Sequence, residues 1–204
     1  MTPDQIAALF TRPDGTYAFA RWGRPLVPVV FGVDDATLAV VKGGIEAVVA
    51  LAGHSLAETD PEQGANLMIF FVRDWDEVLA VPDLPRLVEG IDARVPRLRA
   101  EGATRYAQMR FDADGAIRAA FVFLRVDAAL ARIPAEDLAL MQAVQVILAW
   151  AEGAWRDQSP LAMAKGVAVL RPEVAALIRA AYDRRLPAAA SDASHALRLA
   201  ARMG

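Results

Sequence analysis

The sequence predicts an α+β fold, and three observations carry that reading. Leu67-Met68-Ile69-Phe70-Phe71-Val72 is apolar on both alternating faces, as a strand covered on both sides must be. Thr104 to Phe111 and Ala116 to Arg125 are strand-like runs joined by Asp112-Ala113-Asp114-Gly115, a hairpin loop signal. From residue 127 onward the pattern turns helical. Strands and helices are thus partly segregated, unlike a regular βαβ repeat. The expectation is a mixed or antiparallel sheet of about four strands, one helix packed on it, and an all-helical C-terminal half. One domain over 1–204 is expected, with a helix and turn in 1–20, a sheet-containing half in 21–125 and a helical half in 127–204.

Each element has a local reason. Thr2-Pro3-Asp4 pairs an N-cap with proline at the first helical position, so a short helix should run through Phe10. Pro13-Asp14-Gly15 is a turn. The β-branched run from Arg21 to Phe31 reads as a strand, and Pro28 demotes it to an edge or bulged one. Asp34 or Asp35 caps a helix over 36–53, in which Leu38, Val41, Ile45, Val48, Val49 and Ala52 fall at helical spacing. Gly43-Gly44 inside it costs about 1 kcal/mol per glycine against alanine. Close packing against a sheet accounts for the pair; a hinge is the alternative.

Asp74-Trp75-Asp76-Glu77 opens a short helix with acids in its first turn, where the helix dipole favours them. Residues 82–100, with three prolines, read as short helices and turns. Pro134 starts a long helix through about Glu152. Ser159-Pro160 starts another, and Pro172-Glu173 a third that ends near Arg185. Ser191 to Arg202 reads as a fourth.

Composition narrows the chemistry. The chain has two histidines, His54 and His195, and no cysteine. A thiol nucleophile is excluded, and a zinc site would need two carboxylates besides both histidines. A 55% hydrophobic share with 23% charged residues supplies a sizeable core. The net charge of −3 gives no global field for nucleic acid or an anionic membrane. No stretch reaches the ~18–20 apolar residues of a membrane span, and the N-terminus shows no signal-peptide pattern.

His54 reads as a capping or loop histidine at a helix C-terminus, and His195 as a residue of an exposed terminal helix. Asp112-Ala113-Asp114-Gly115 starts like a calcium loop but lacks the third ligand and the closing glutamate. Asp74 and Asp76 alternate, but at a helix start they cap rather than pair. No Gly-x-Ser-x-Gly, Walker or Gly-x-Gly-x-x-Gly pattern occurs. Trp22, Trp75, Trp150 and Trp155 do not interleave with arginines as a nucleic-acid platform would, and Trp150 and Trp155 should close the core under the long helix. Tyr182-Asp183-Arg184-Arg185-Leu186 is a helix end whose arginines complement the dipole; functionally it could hold an anionic group.

Four stretches resemble an uncharacterised proteobacterial domain-of-unknown-function family of secreted, zinc-metalloprotease-like proteins. They are Arg21-Trp22 through Pro25-Leu26-Val27, Ala65-Asn66-Leu67-Met68-Ile69, Ser159-Pro160-Leu161, and Ala181-Tyr182-Asp183-Arg184-Arg185-Leu186. Arg184 stands where the family's closing motif has proline. The resemblance puts the family's active-site helix at Leu140-Met141-Gln142-Ala143-Val144-Gln145. Gln145 fits the family glutamine, while Leu140 and Met141 replace the metal-binding histidine and the catalytic glutamate. Leucine cannot ligate zinc and methionine cannot deprotonate its water.

The resemblance therefore implies a non-catalytic, degenerate relative that binds a peptide, a protein or a small apolar ligand. Its cleft would lie between the central strand and the helix at 137–152, with Leu140, Met141, Gln145, Tyr182 and Arg184 as candidates. No metal, cofactor or nucleic acid is expected. The alternative is a metal-independent hydrolase or other enzyme using carboxylates and arginines such as Glu46, Asp183 and Arg184. A homodimer covering the apolar helix face is a third reading. The family implies a periplasmic location after signal removal; otherwise the chain would be cytoplasmic.

Overall fold

The structure is a computed structural model and describes residues 1–62 and 64–203. Its centre is a four-stranded mixed sheet, so the fold class is α+β. The sheet is built from β2 (Pro28–Phe31), β3 (Leu67–Val72), β4 (Arg105–Phe111) and β5 (Ile117–Arg125), in the order β2-β3-β5-β4. β2 and β5 both run parallel to β3, and β4 returns antiparallel to β5 with a bulge at Arg110/Phe111. Pro28 lies on the edge strand β2, where its missing N–H costs no ladder bond between neighbours on both sides.

Both faces of the sheet are covered. Leu67, Ile69 and Phe71 of β3 share one core with α2 (Asp35–Leu51) and α6 (Ala135–Ile147). Phe70 and Val72 face a second core formed with α3 (Trp75–Leu79), α4 (Leu84–Leu87) and α5 (Ile91–Ala100). The doubly apolar pattern of β3 is thus the imprint of two cores. The expectation of one helix packed on the sheet is incomplete, because the proline-containing segment 82–100 folds into the second layer of helices.

Local signals hold the ends in place. α1 (Pro3–Ala8) begins with a capping box between Thr2 and Gln5. Asp34 caps α2 by accepting from the Thr37 amide at 2.7 Å. At its other end, Gly53 takes φ +64° and the His54 amide donates back to Val49 O at 3.0 Å. Within α2 the paired glycines differ. A Cβ on Gly43 would meet nothing within 4 Å, whereas one on Gly44 would lie 3.0 Å from the Ala139 backbone. Close packing therefore explains Gly44 alone, and its neighbour is α6 rather than the sheet.

The C-terminal half is not all helix. Residues expected to form a helix after Ser159-Pro160 form a hairpin of β6 (Leu161–Ala164) and β7 (Val167–Leu170). Its turn is Lys165-Gly166, with φ of 52° and 82°. Positive φ at both central residues matches the right-handed strand twist, so this pair closes a hairpin where it would break a helix. A second short pairing joins β1 (Phe19–Ala20) to β8 (Ala189–Ala190). α7 (Pro172–Ala181) and α8 (His195–Ala200) complete the chain. α6 ends at Ile147, short of Glu152, because Leu148 turns extended and bridges Arg21.

Candidate functional site

The strands and helices that meet at the C-terminal end of β5 leave a cavity of about 430 Å³. Its floor is Leu124 of β5 and Arg105 of β4, which face each other in the strand register. One wall is α6, through Asp137, Leu138, Met141 and Gln142. The other is the β6–β7 hairpin, through Leu161, Ala162, Met163 and Ala168. Leu130 and Ile133, from the turn that precedes α6, close the rim. The lining is predominantly hydrocarbon, with Ile133 and Met163 strongly exposed at 44% and 66%.

The polar groups in this cavity are few. Arg105 is part-buried and donates from Nε to Gln142 Oε1 at 3.0 Å. Burial lowers its pKa to about 10, because desolvation penalises the guanidinium cation. Among the described residues no carboxylate pairs with it, and Asp137, on the same lining, forms no ion pair either. Gln142 is only 4% exposed. Ser159 is committed to the chain, since its Oγ accepts from the Leu161 amide at 3.1 Å.

A second, wider groove of about 1500 Å³ follows the free edge of β4 and shares Arg105 with the cavity. α5 contributes Arg94 and Arg97 to one bank, and Glu101, its C-cap, adds to them. Gln145, Trp150 and Trp155 stand on the other. The Arg125 amide donates to Thr104 O at 2.9 Å, which makes that cross-strand pair hydrogen-bonded. Antiparallel alternation then turns the backbone N–H and C=O of Arg105, Ala107 and Met109 away from β5. Gln145 Oε1 and Trp155 Nε1 are buried and have no hydrogen-bond partner among the described residues.

The residues singled out from the sequence are not brought together. Met141 lines the cavity and Gln145 lines the groove. Leu140 packs against the main core instead. Tyr182 is buried: its hydroxyl donates to Ile147 O at 2.8 Å and accepts from the Trp22 amide at 3.3 Å. Arg184 is exposed, and Asp183 pairs with Arg202 at 2.6 Å. Glu46 is an exposed residue of α2, and neither it, Asp183 nor Arg184 lines the cavity or the groove.

Neither histidine lines the cavity or the groove, although His195 packs on Phe19, which does line the groove. His54 Nε2 donates to Arg24 O at 2.8 Å, and the ring sits against the Tyr182 ring. Burial lowers its pKa, opposed by that hydrogen bond and reinforced by Arg21. His195, expected on an exposed helix, is buried at 3% exposure because α8 packs against α1 and the Phe19 ring. Among the described residues, no three His, Asp or Glu side chains gather as a metal site would require. No described helix is long and apolar enough to cross a membrane.

Arg105 and the hairpin were missed in the sequence. A signal for Arg105 did exist: it alternates with Ala107 and Met109 on the strand face that packs toward Leu124, Val122 and Ala120. A charged residue in an apolar register is the kind of inconsistency that marks a site. Comparison with known proteins gives no matching family model, no matching curated protein and no matching solved structure.

Proposed function

We propose that this protein is a non-catalytic binding protein that takes a small apolar molecule into the cavity between α6 and the β6–β7 hairpin. The observation that carries the reading is the cavity's composition: about 430 Å³ of space walled mainly by aliphatic and thioether groups, with few polar residues among them. Ligand sites have this character and this size, because apolar walls supply affinity and sparse polar groups fix orientation. The reading keeps the expectation of a degenerate relative of a metalloprotease-like fold, with the Met141 thioether on the cavity wall and Leu140 turned to the core. Met141 supports it as a flexible, polarisable wall that adapts to varied ligand shapes.

Titration with Nile red, a neutral dye that brightens in apolar surroundings, tests this directly. Saturable fluorescence enhancement is expected. Ala168→Trp places an indole against the cavity wall and should abolish the enhancement while far-UV circular dichroism is retained. Absence of saturable binding by the unaltered protein, or undiminished binding by a folded Ala168→Trp variant, would refute the reading.

A second reading rests on the free edge of β4. Three residues there, Arg105, Ala107 and Met109, line the groove and turn backbone donors and acceptors away from β5, with no partner for them among the described residues. An extended peptide adding as a further strand satisfies such an edge. The walls favour a single strand over the edge of another sheet.

A further inference from the structure

We infer that the cavity selects ligands with a carboxylate head, which Arg105 and Gln142 hold while an aliphatic or aryl tail fills the space toward Ile133 and Met163. This rests on the reading of the cavity as a ligand site and names its substrate class. A guanidinium beside hydrocarbon is costly unless its charge is balanced. Arg105 has no protein carboxylate to balance it among the described residues, and its one hydrogen bond leaves from Nε. Nη1 and Nη2 therefore meet no protein acceptor there, and they form the fork that matches two carboxylate oxygens.

Gln142 completes the head site. Its Oε1 is occupied by Arg105 Nε, which fixes the plane of the guanidinium. Its amide nitrogen makes no hydrogen bond among the described residues and is not fully enclosed, so it stays accessible beside Arg105. A ligand oxygen held by Arg105 could accept from this free donor as well. One cation calls for one negative charge, which favours a monocarboxylate over a phosphate monoester. Asp137 lies on the lining as well, so an amine head is the competing choice. The unbalanced charge of Arg105 opposes it.

Calorimetric titration with decanoate, decan-1-ol and decylamine distinguishes these outcomes, since the three share a tail and differ in the head. Decanoate should bind roughly ten- to hundred-fold more tightly than the alcohol, the range of a charge-assisted hydrogen-bond pair. The amine should be weakest. Arg105→Met should bring the decanoate-to-decanol affinity ratio close to one, and Arg105→Gln should lower it in the same direction. Equal affinities for acid and alcohol in the unaltered protein would overturn the carboxylate assignment and leave the apolar cavity reading standing. A preference for the amine would do the same, as would a decanoate preference that survives in folded Arg105→Met. If none of the three binds, the cavity reading fails and this assignment with it.

Discussion

Lowering the pH from 7 to 4 should destabilise this protein through His195. The imidazole is 3% exposed, and its Nδ1 is hydrogen-bonded to the Tyr17 hydroxyl across 3.1 Å. Burial holds Tyr17 as the neutral phenol. Nε2, on the other side of the ring, is buried with no hydrogen-bond partner among the described residues. Charging the ring would bury a cation beside the Phe19 ring with no carboxylate partner among the described residues. Burial, with help from the Arg198 and Arg202 cations, lowers the His195 pKa from 6.5 to about 4. In the unfolded chain the ring protonates near its ordinary value of about 6.5.

The sign follows from linkage. Between pH 6.5 and 4 the unfolded state binds a proton that the folded state refuses, so stability is complete above 6.5 and drains as pH falls. The gap corresponds to a loss of at most about 3 kcal/mol, a large share of the roughly 5–15 kcal/mol typical of a domain. His54, whose pKa is also lowered by burial, adds to the loss with the same sign. Carboxylates lowered by hydrogen bonding, such as Asp34 and Asp127, act in a more acidic window, below 3.8. Urea unfolding midpoints at pH 7, 6, 5 and 4.5, for the unaltered protein and for His195→Leu, isolate the His195 share. Parallel pH profiles for the two proteins, or an NMR titration of His195 near 6.5, would refute the reasoning.

Two further outcomes are expected. Gly43→Ala should stabilise the protein by up to about 1 kcal/mol, since the new methyl meets nothing and the unfolded chain loses freedom; Gly44→Ala should destabilise it, because its methyl would press on Ala139 at 3.0 Å. Thermal melts of both variants check the opposite signs, and matching signs would show that α2 and α6 are not in close contact there. Ala107→Pro removes an N–H that points away from β5, so the fold should survive while a labelled, uncharged valine–threonine hexapeptide is no longer captured. Equal capture by the unaltered protein and the variant in fluorescence polarisation would eliminate strand addition at this edge.

What was legible in the sequence was local or periodic. The unbroken apolar run of β3 marked a strand buried on both faces, Pro28 marked an edge, and Asp112-Ala113-Asp114-Gly115 marked the β4–β5 turn. The β6–β7 hairpin was not legible as read, because Ser159-Pro160 looks like a helix start and the four-residue apolar run fits either period. Lys165-Gly166 was the overlooked cue. His195 was misplaced for a different reason: its burial depends on α1, contributed from the far end of the chain. The cavity is non-local in the same way. It joins β4, β5, α6 and the hairpin, and only Met141 among the residues expected in a cleft lines it.

Asn66, just before β3, is buried at 1% exposure and is clasped from several sides. Its side chain accepts from the Val27 amide at 2.8 Å and donates to Pro25 O at 2.9 Å and Asp60 Oδ2 at 3.1 Å; its carbonyl accepts from the Ala120 amide at 2.8 Å. A strand that is hydrocarbon on both sides has no polarity to penalise slippage by one residue. Asn66 therefore acts as the chain's index pin: it sets which phenylalanine of β3 enters which core, and so decides the identity of both layers from a single amide.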